Sequence, residues 1–232
     1  MEKKVNWDIS IRLPDEKNRR KNGKLLPNNI RCLIVGPSGC GKTTLMIDNF
    51  ILSPGWLDSE NRYLYIYSKS LDQQEYVNLR ELMKHVEGEI GAGVATFCNI
   101  ADDVEPLDDC KENSVVIFDD FSLENQDKVR EYYTRGRHKG IECFYLAQTY
   151  SKVPKQLVRD NVNFLCIYKQ DKTNLQHLYD EFISCDMTYD TFMKICRSCW
   201  KKDFGFITVD LTRKLNNGKY RDKIKDFLNV EA

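Results

Sequence analysis

The chain has 232 residues, with 35 Lys and Arg set against 35 Asp and Glu, so its formal net charge is zero. That length suits one sizeable α/β domain with a modest extension, and 41% hydrophobic with 30% charged residues excludes a disordered or fibrous chain. The neutral balance excludes a globally basic nucleic-acid binder, though not a local basic surface, and no apolar run approaches the roughly 20 residues of a membrane span.

Residues 1–29 read as a polar N-terminal extension. It begins Met1-Glu2-Lys3-Lys4 rather than with an apolar signal region, so secretion is not expected. Trp7, Ile9, Ile11 and Leu13 alternate as an edge strand would. The basic run Lys17 to Lys24 reads as a solvated loop, with a phosphate-contacting arm as the alternative. From Ile30 the pattern becomes strand, loop, helix, repeated. Strands are expected at Ile30–Val35, Tyr63–Tyr67, Val94–Cys98, Ser114–Phe118, Glu142–Ala147 and Val162–Tyr168. Helices are expected at Thr43–Leu52, Leu71–Val86, Gln126–Tyr133 and, briefly, Pro154–Arg159. Short apolar strands alternating with helices imply an α/β fold with a mainly parallel sheet covered on both faces. That unit spans residues 30–170.

After Asp171 the alternation weakens. Helices over Asn174–Ile183 and Tyr189–Trp200 precede a strand-like run, Phe204–Leu211, a turn at Asn216-Asn217-Gly218 and a basic tail. Residues 171–232 therefore read as a small C-terminal α+β extension packed on the core. Nine scattered cysteines, mostly in apolar runs, fit reduced thiols in a reducing compartment. Cys185, Cys196 and Cys199, with His177, are the one grouping with zinc-ligand character. Against that, Phe192, Ile195, Cys196 and Cys199 share one helical face, which reads as core.

The first strand ends in Gly36-Pro37-Ser38-Gly39-Cys40-Gly41-Lys42-Thr43, followed by Thr44. This is G-x-x-x-x-G-K-[ST] with a strand before it and a helix after it, the context of a loop that holds a nucleoside triphosphate. The glycines let backbone amides converge on phosphate oxygens, and the N-terminus of the helix adds to the field. Lys42 reaches the β- and γ-phosphates, and the Thr43 hydroxyl ligates Mg2+. The run Val115-Val116-Ile117-Phe118 ends in Asp119-Asp120. Two carboxylates at the mouth of a buried strand are costly unless water or a cation meets them. Asp119 is the second expected magnesium ligand, and Asp120 is placed to orient or deprotonate the attacking water. The pair points to hydrolysis of ATP rather than binding alone.

Arg135-Gly136-Arg137-His138-Lys139-Gly140-Ile141 leads into a buried strand that ends in Ala147-Gln148-Thr149. This resembles the FtsK/HerA superfamily of nucleic-acid-pumping ATPases, with their RecA/FtsK-like P-loop NTPase fold. Within it, the chain is most similar to the genome-packaging ATPases of poxviruses, other large DNA viruses, virophages and Polinton-type elements. Asp119-Asp120, the run Ala147 to Pro154, Val158 to Asn161 and Lys219-Tyr220-Arg221 share that character. The resemblance implies that Gln148 senses the γ-phosphate or its water. It makes Arg137 an arginine finger offered to a neighbouring subunit, with Arg135 the weaker choice. It further implies a homo-oligomeric ring of five or six subunits around double-stranded DNA, read without sequence specificity, and a capsid or portal-vertex partner. Its workplace would be the host cytoplasm or nucleus where virions assemble, with association to the virion. The second acid is often glutamate in the superfamily, and Asp120 reaches one methylene less far. The length leaves no room for the membrane anchors of cellular relatives, which favours a minimal viral motor. Lys152, Lys155, Arg159, Lys201, Lys202, Lys219, Arg221, Lys223 and Lys225 are the basic residues available for DNA phosphates. A nucleotide kinase, a switch-type NTPase, or an assembly subunit that only binds ATP are the competing readings. No N-K-x-D motif supports a GTPase, and the acid pair argues against a mere binder.

Overall fold

A computed structural model describes residues 22–52, 63–99, 104–121, 126–155 and 158–230. The alternating stretch Trp7 to Leu13 and the start of the basic run at Lys17 lie outside them.

Among the described residues, nine strands form one sheet: β1 (Arg31–Val35), β2 (Leu64–Ser68), β3 (Ala95–Cys98), β4 (Val115–Asp119), β5 (Glu142–Ala147), β6 (Phe164–Ile167), β7 (Ile207–Asp210), β8 (Tyr220–Asp222) and β9 (Asp226–Phe227). Their spatial order is β3-β2-β4-β5-β1-β6-β7-β8-β9. The first six in sequence pair in parallel, and β7, β8 and β9 add on antiparallel beyond β6. The helices are α1 (Lys42–Met46), α2 (Gln74–Ile90), α3 (Gln126–Arg135), α4 (Lys172–Phe182) and α5 (Tyr189–Cys199).

The inner parallel strands β1, β2, β4, β5 and β6 read as largely apolar runs because both faces are covered. Cys32 and Ile34 of β1 point into one core with Leu45, Met46 and Phe50 and with Tyr76, Leu79 and Met83 of α2. Leu33 and Val35 point into the other, with Val129 and Tyr133 of α3, Leu178 of α4 and Phe192 of α5. Side chains alternate across a strand, so each run feeds both cores. Local chemistry sets the helix ends. Asp171 and Thr188 cap α4 and α5 by accepting from the amides of Asn174 and Thr191, and Gly91 closes α2 in the left-handed region at φ 69°.

Two expectations change. The helix expected over Thr43–Leu52 is α-helical only to Met46 and continues as a π-helical turn over Ile47–Ile51, with the Leu52 amide bonded to the Ile47 carbonyl at 2.8 Å. The short helix expected over Pro154–Arg159 lies partly outside the described residues, which omit 156 and 157. Around them the chain carries 3-10 turns at Tyr150–Lys152 and Arg159–Asn161, and the Val158 amide donates to the Pro154 carbonyl at 3.1 Å. The basic tail is not a surface decoration either: it supplies β8 and β9. Arg221 on β8 is fully buried, with its guanidinium 2.6 Å from the Asp210 carboxylate and further bonds to the carbonyls of Gly218 and Leu25. A guanidinium with those partners is unavailable to DNA. Lys219 is bound to Asp186, and Arg159 pairs with Glu181 at 2.8 Å. Lys202 pairs with Asp222 at 2.6 Å, the Lys223 ammonium donates to the Asp203 carbonyl at 3.2 Å, and Lys152, Lys155, Lys201 and Lys225 are exposed.

Candidate nucleotide site

Three strand ends build the site, and β5 is its axis. β5 lies between β1, which carries the glycine-rich loop, and β4, which carries the acid pair. The register is level at the C-terminal ends: Val35 faces Ala147, and Asp119 faces Leu146. The Gly36 amide donates to the Ala147 carbonyl at 3.0 Å, and the Asp120 amide donates to the Leu146 carbonyl at 3.1 Å. Strands lie about 4.8 Å apart, so loop and acid pair sit about 10 Å from each other with the end of β5 between them. Gln148 follows β5 directly, and its Nε2 donates to Asp120 Oδ2 at 3.2 Å. A pocket of about 260 Å3 opens here, lined by Asp120, Gln148, Thr149 and Lys152.

The loop needs glycine at two positions, at Gly36 for space and at Gly41 for its backbone conformation. A Cβ at Gly36 would lie 2.5 Å from Tyr168 Cβ and 2.7 Å from Cys40 Sγ. Gly41 sits at φ 94°, in the left-handed region, with Phe204 stacked close against it. Pro37, Ser38 and Gly39 are exposed, as are Thr44 and the loop's outer rim. Lys42 is buried, and its Nζ donates to the carbonyls of Gly36 and Pro37 at 2.8 and 2.9 Å. The ammonium thus lies folded across the loop it serves, held where a phosphate would compete for it.

Asp119 is 6% exposed, and burial pushes its carboxyl above the usual carboxylate range. The Tyr76 hydroxyl, which donates to Asp119 Oδ2 at 2.6 Å, the Lys42 charge and the Thr43 hydroxyl all oppose that rise, while Asp120 adds to it. A buried carboxylate beside a threonine hydroxyl is a hard-oxygen donor set, and it fits a hard divalent cation. Asp120 is exposed and sits at φ 50°, a left-handed backbone that a non-glycine residue rarely adopts. That turn swings its carboxylate away from Asp119 and toward Gln148.

Tyr76 and Tyr168 were not visible as site residues in the sequence. Tyr76 is one of several apolar positions of an ordinary amphipathic helix, and only the packing of α2 beside β4 turns its hydroxyl to Asp119. Tyr168 Oη donates to the Gly41 carbonyl at 3.1 Å, so this residue braces both ends of the loop.

Arg137 does not join this cluster. It is exposed, in the 3-10 turn Gly136–Lys139 that precedes β5, at the opposite end of the strand. Six residues of strand separate it from Gln148, about 20 Å. Its charge, second to burial, lowers the basicity of Arg31 at the start of β1. Arg135 is engaged at the surface with Asp108 at 3.6 Å and Glu131 at 3.8 Å. Cys196 and Cys199 lie in the core beside Phe192, with burial pushing both thiols up, while Cys185 is exposed. Among the described residues, no three or more His, Cys, Asp or Glu side chains are grouped to hold a metal ion. Among them, too, no helix is long and apolar enough to cross a membrane.

No individual curated protein sequence matches the chain significantly. Among solved structures, the genome packaging NTPase B204 from Sulfolobus turreted icosahedral virus 2 matches in complex with sulfate at a TM-score of 0.60. The identity is 13%, over 87% of this chain and 98% of that one. The same protein with ATP-gammaS gives 0.58 at 14% identity, over 86% and 98%. B204 described as the DNA-packaging ATPase from Sulfolobus turreted icosahedral virus gives 0.52 at 14% identity, over 86% and 97%. Identities this low show the shared fold, a mainly parallel P-loop sheet with helices on both faces. A family model, Poxvirus A32 protein, matches residues 17–198. With most of its length inside that match, the chain belongs to the poxvirus A32 protein family, a family of genome-packaging ATPases.

Proposed function

We propose that this chain hydrolyses ATP to drive double-stranded DNA into a viral or virus-like capsid, working as a ring with its nucleotide at subunit interfaces. The observation that carries the reading is the meeting of Lys42, Thr43, Asp119, Asp120 and Gln148 around the end of β5. In this reading the loop amides of residues 36–44 and Lys42 hold the triphosphate. Thr43 and Asp119 would hold magnesium, which when bound supplies charge neutralisation on the phosphate oxygens. Asp120 holds the attacking water and takes up its proton, and its exposure leaves it open to that water. Gln148, bonded to Asp120, orients the same water and registers the γ-phosphate. Arg137 acts on a neighbour's nucleotide. The exposed Lys152, Lys155, Lys201 and Lys225 are the basic residues left for DNA phosphates, which demand only clustered positive charge. The ring meets a capsid or portal-vertex protein, in the host compartment where virions assemble.

Tyr76 tests the metal arm of this reading. Tyr76→Phe removes the donor to Asp119 Oδ2, which stabilises the charged carboxylate. Losing it raises the Asp119 pKa further, so the acidic limb of the pH–rate profile should move to higher pH. Turnover near neutrality should fall about 10-fold, as for other residues that orient a metal ligand. An unmoved acidic limb would count against Asp119 as the magnesium ligand.

The motor itself is tested by the rate of phosphate release with and without duplex DNA, alongside the mass of the assembly in solution. Stimulation by DNA of an oligomer is expected. An active monomer indifferent to DNA would end the packaging reading.

A further inference from the structure

A second pocket, of about 440 Å3, opens directly beside the glycine-rich loop, on the side away from Asp119 and Gln148. Its wall includes Gly41 and Thr44, Asn49 on the π-helical turn, Tyr168 at the end of β6, and Phe204 and Phe206. The turn of residues 223–226 between β8 and β9 closes it. None of the roles assigned above uses this space.

Phe204 is the unusual residue. It is 67% exposed, the most exposed large hydrophobic side chain among the described residues. It also sits at φ 51°, a left-handed backbone unfavourable for a bulky side chain. The chain around it is tightly fixed: a Cβ at Gly205 would lie 2.1 Å from the Cys199 carbonyl oxygen, and the Gly205 amide donates to the Lys202 carbonyl at 2.9 Å. The ring is aimed at the loop, with Cδ1 3.2 Å from where a Cβ on Gly41 would stand. Behind it, Tyr168 and Phe206 pack with ring centroids 5.0 Å apart. An exposed aromatic in a strained turn, held against the last glycine of a phosphate loop, is costly to the free protein and gains nothing from its core.

Topology says which part of a ligand reaches it. β1 has β5 on one side, with the acids and Gln148, and β6 on the other, continuing to β7, β8 and β9. A nucleotide whose terminal phosphate faces the β5 side must direct its base toward the β6–β9 side, where this pocket lies. We infer that the pocket is the nucleobase subsite and that Phe204 is the side chain that stacks on the base. This rests on the reading of residues 36–44 as the triphosphate cradle. It also assigns a purpose to the C-terminal strands: they carry the far wall of the nucleotide site.

The test compares binding of ATP and of inorganic tripolyphosphate, both with magnesium, by calorimetry on the full chain. Phe204→Ala should weaken ATP on the order of ten-fold, the usual worth of an aromatic stacked on a base, and leave tripolyphosphate unchanged. Phe204→Trp, which keeps a stacking surface, should bind ATP like the parent. If Phe204→Ala binds ATP as the parent does, or loses ATP and tripolyphosphate alike, the assignment is overturned. Lys42→Ala supplies the independent control and should weaken both ligands. Should it weaken neither, the phosphate cradle itself is misassigned, whatever Phe204 does.

Discussion

Asp119→Asn is expected to lower ATP turnover by at least about 100-fold while making the nucleotide-free protein more stable. On the proposed assignment of Asp119 as a magnesium ligand, the catalytic loss follows from removing the anionic ligand of a cation worth several kcal/mol to the transition state. The gain in stability follows from the sign of the pKa shift. Burial raises the Asp119 carboxyl above its unfolded value despite Tyr76 and Lys42. The folded state therefore holds its proton more tightly than the unfolded state. Stability is lost as pH rises from the unfolded toward the folded pKa, and the full penalty is present above the latter. Asparagine carries no charge to desolvate, and its carbonyl can still accept from the Tyr76 hydroxyl. The melting temperature at neutral pH should rise, by about 2–4 °C for each ~1 kcal/mol recovered in a chain of this size. The rise should shrink as pH falls into the carboxylate range. Phosphate release and thermal melts on the same preparation check both halves, and a fall in melting temperature at neutral pH would contradict the burial argument.

Arg137→Ala should cost about 1000-fold or more in turnover with ATP affinity unchanged, the scale of effect when an arginine that stabilises phosphoryl-transfer charge is removed. Its own subunit cannot use it, since it stands about 20 Å from the Gln148 end of β5. Any action must be on a neighbour. Mixing Arg137→Ala subunits with Asp119→Asn subunits should then restore turnover, because mixed interfaces pair an intact Asp119 site with an intact Arg137. Arg31 lies near enough to feel the Arg137 charge. Mixtures no more active than either variant alone would remove Arg137 from the mechanism.

The sequence by itself determined those parts of the site whose chemistry is contiguous along the chain. The loop of residues 36–43 needs its glycines, Lys42 and Thr43 at fixed offsets, and Asp119-Asp120 ends an apolar run that has to be a buried strand. Such patterns are legible because backbone geometry and phosphate chemistry leave few alternatives at that spacing. Five of the six parallel strands were legible for a similar reason, since a strand buried on both faces must be mainly apolar; β3, at the sheet edge, is only half-buried. Only the tertiary structure decided what depends on residues far apart meeting. Strand order put β5 between loop and acids, which makes Gln148 a neighbour of both. Packing of α2 brought the Tyr76 hydroxyl to Asp119, and the end of β6 brought Tyr168 under the loop. The tail shows the limit most clearly. Its lysines and arginines read as available for DNA phosphates because charge in a sequence says nothing about partners. Asp210, eleven residues before Arg221, supplies the buried carboxylate that admits Arg221 to the sheet. With that strand in place, the turn behind it closes the pocket next to the phosphate loop.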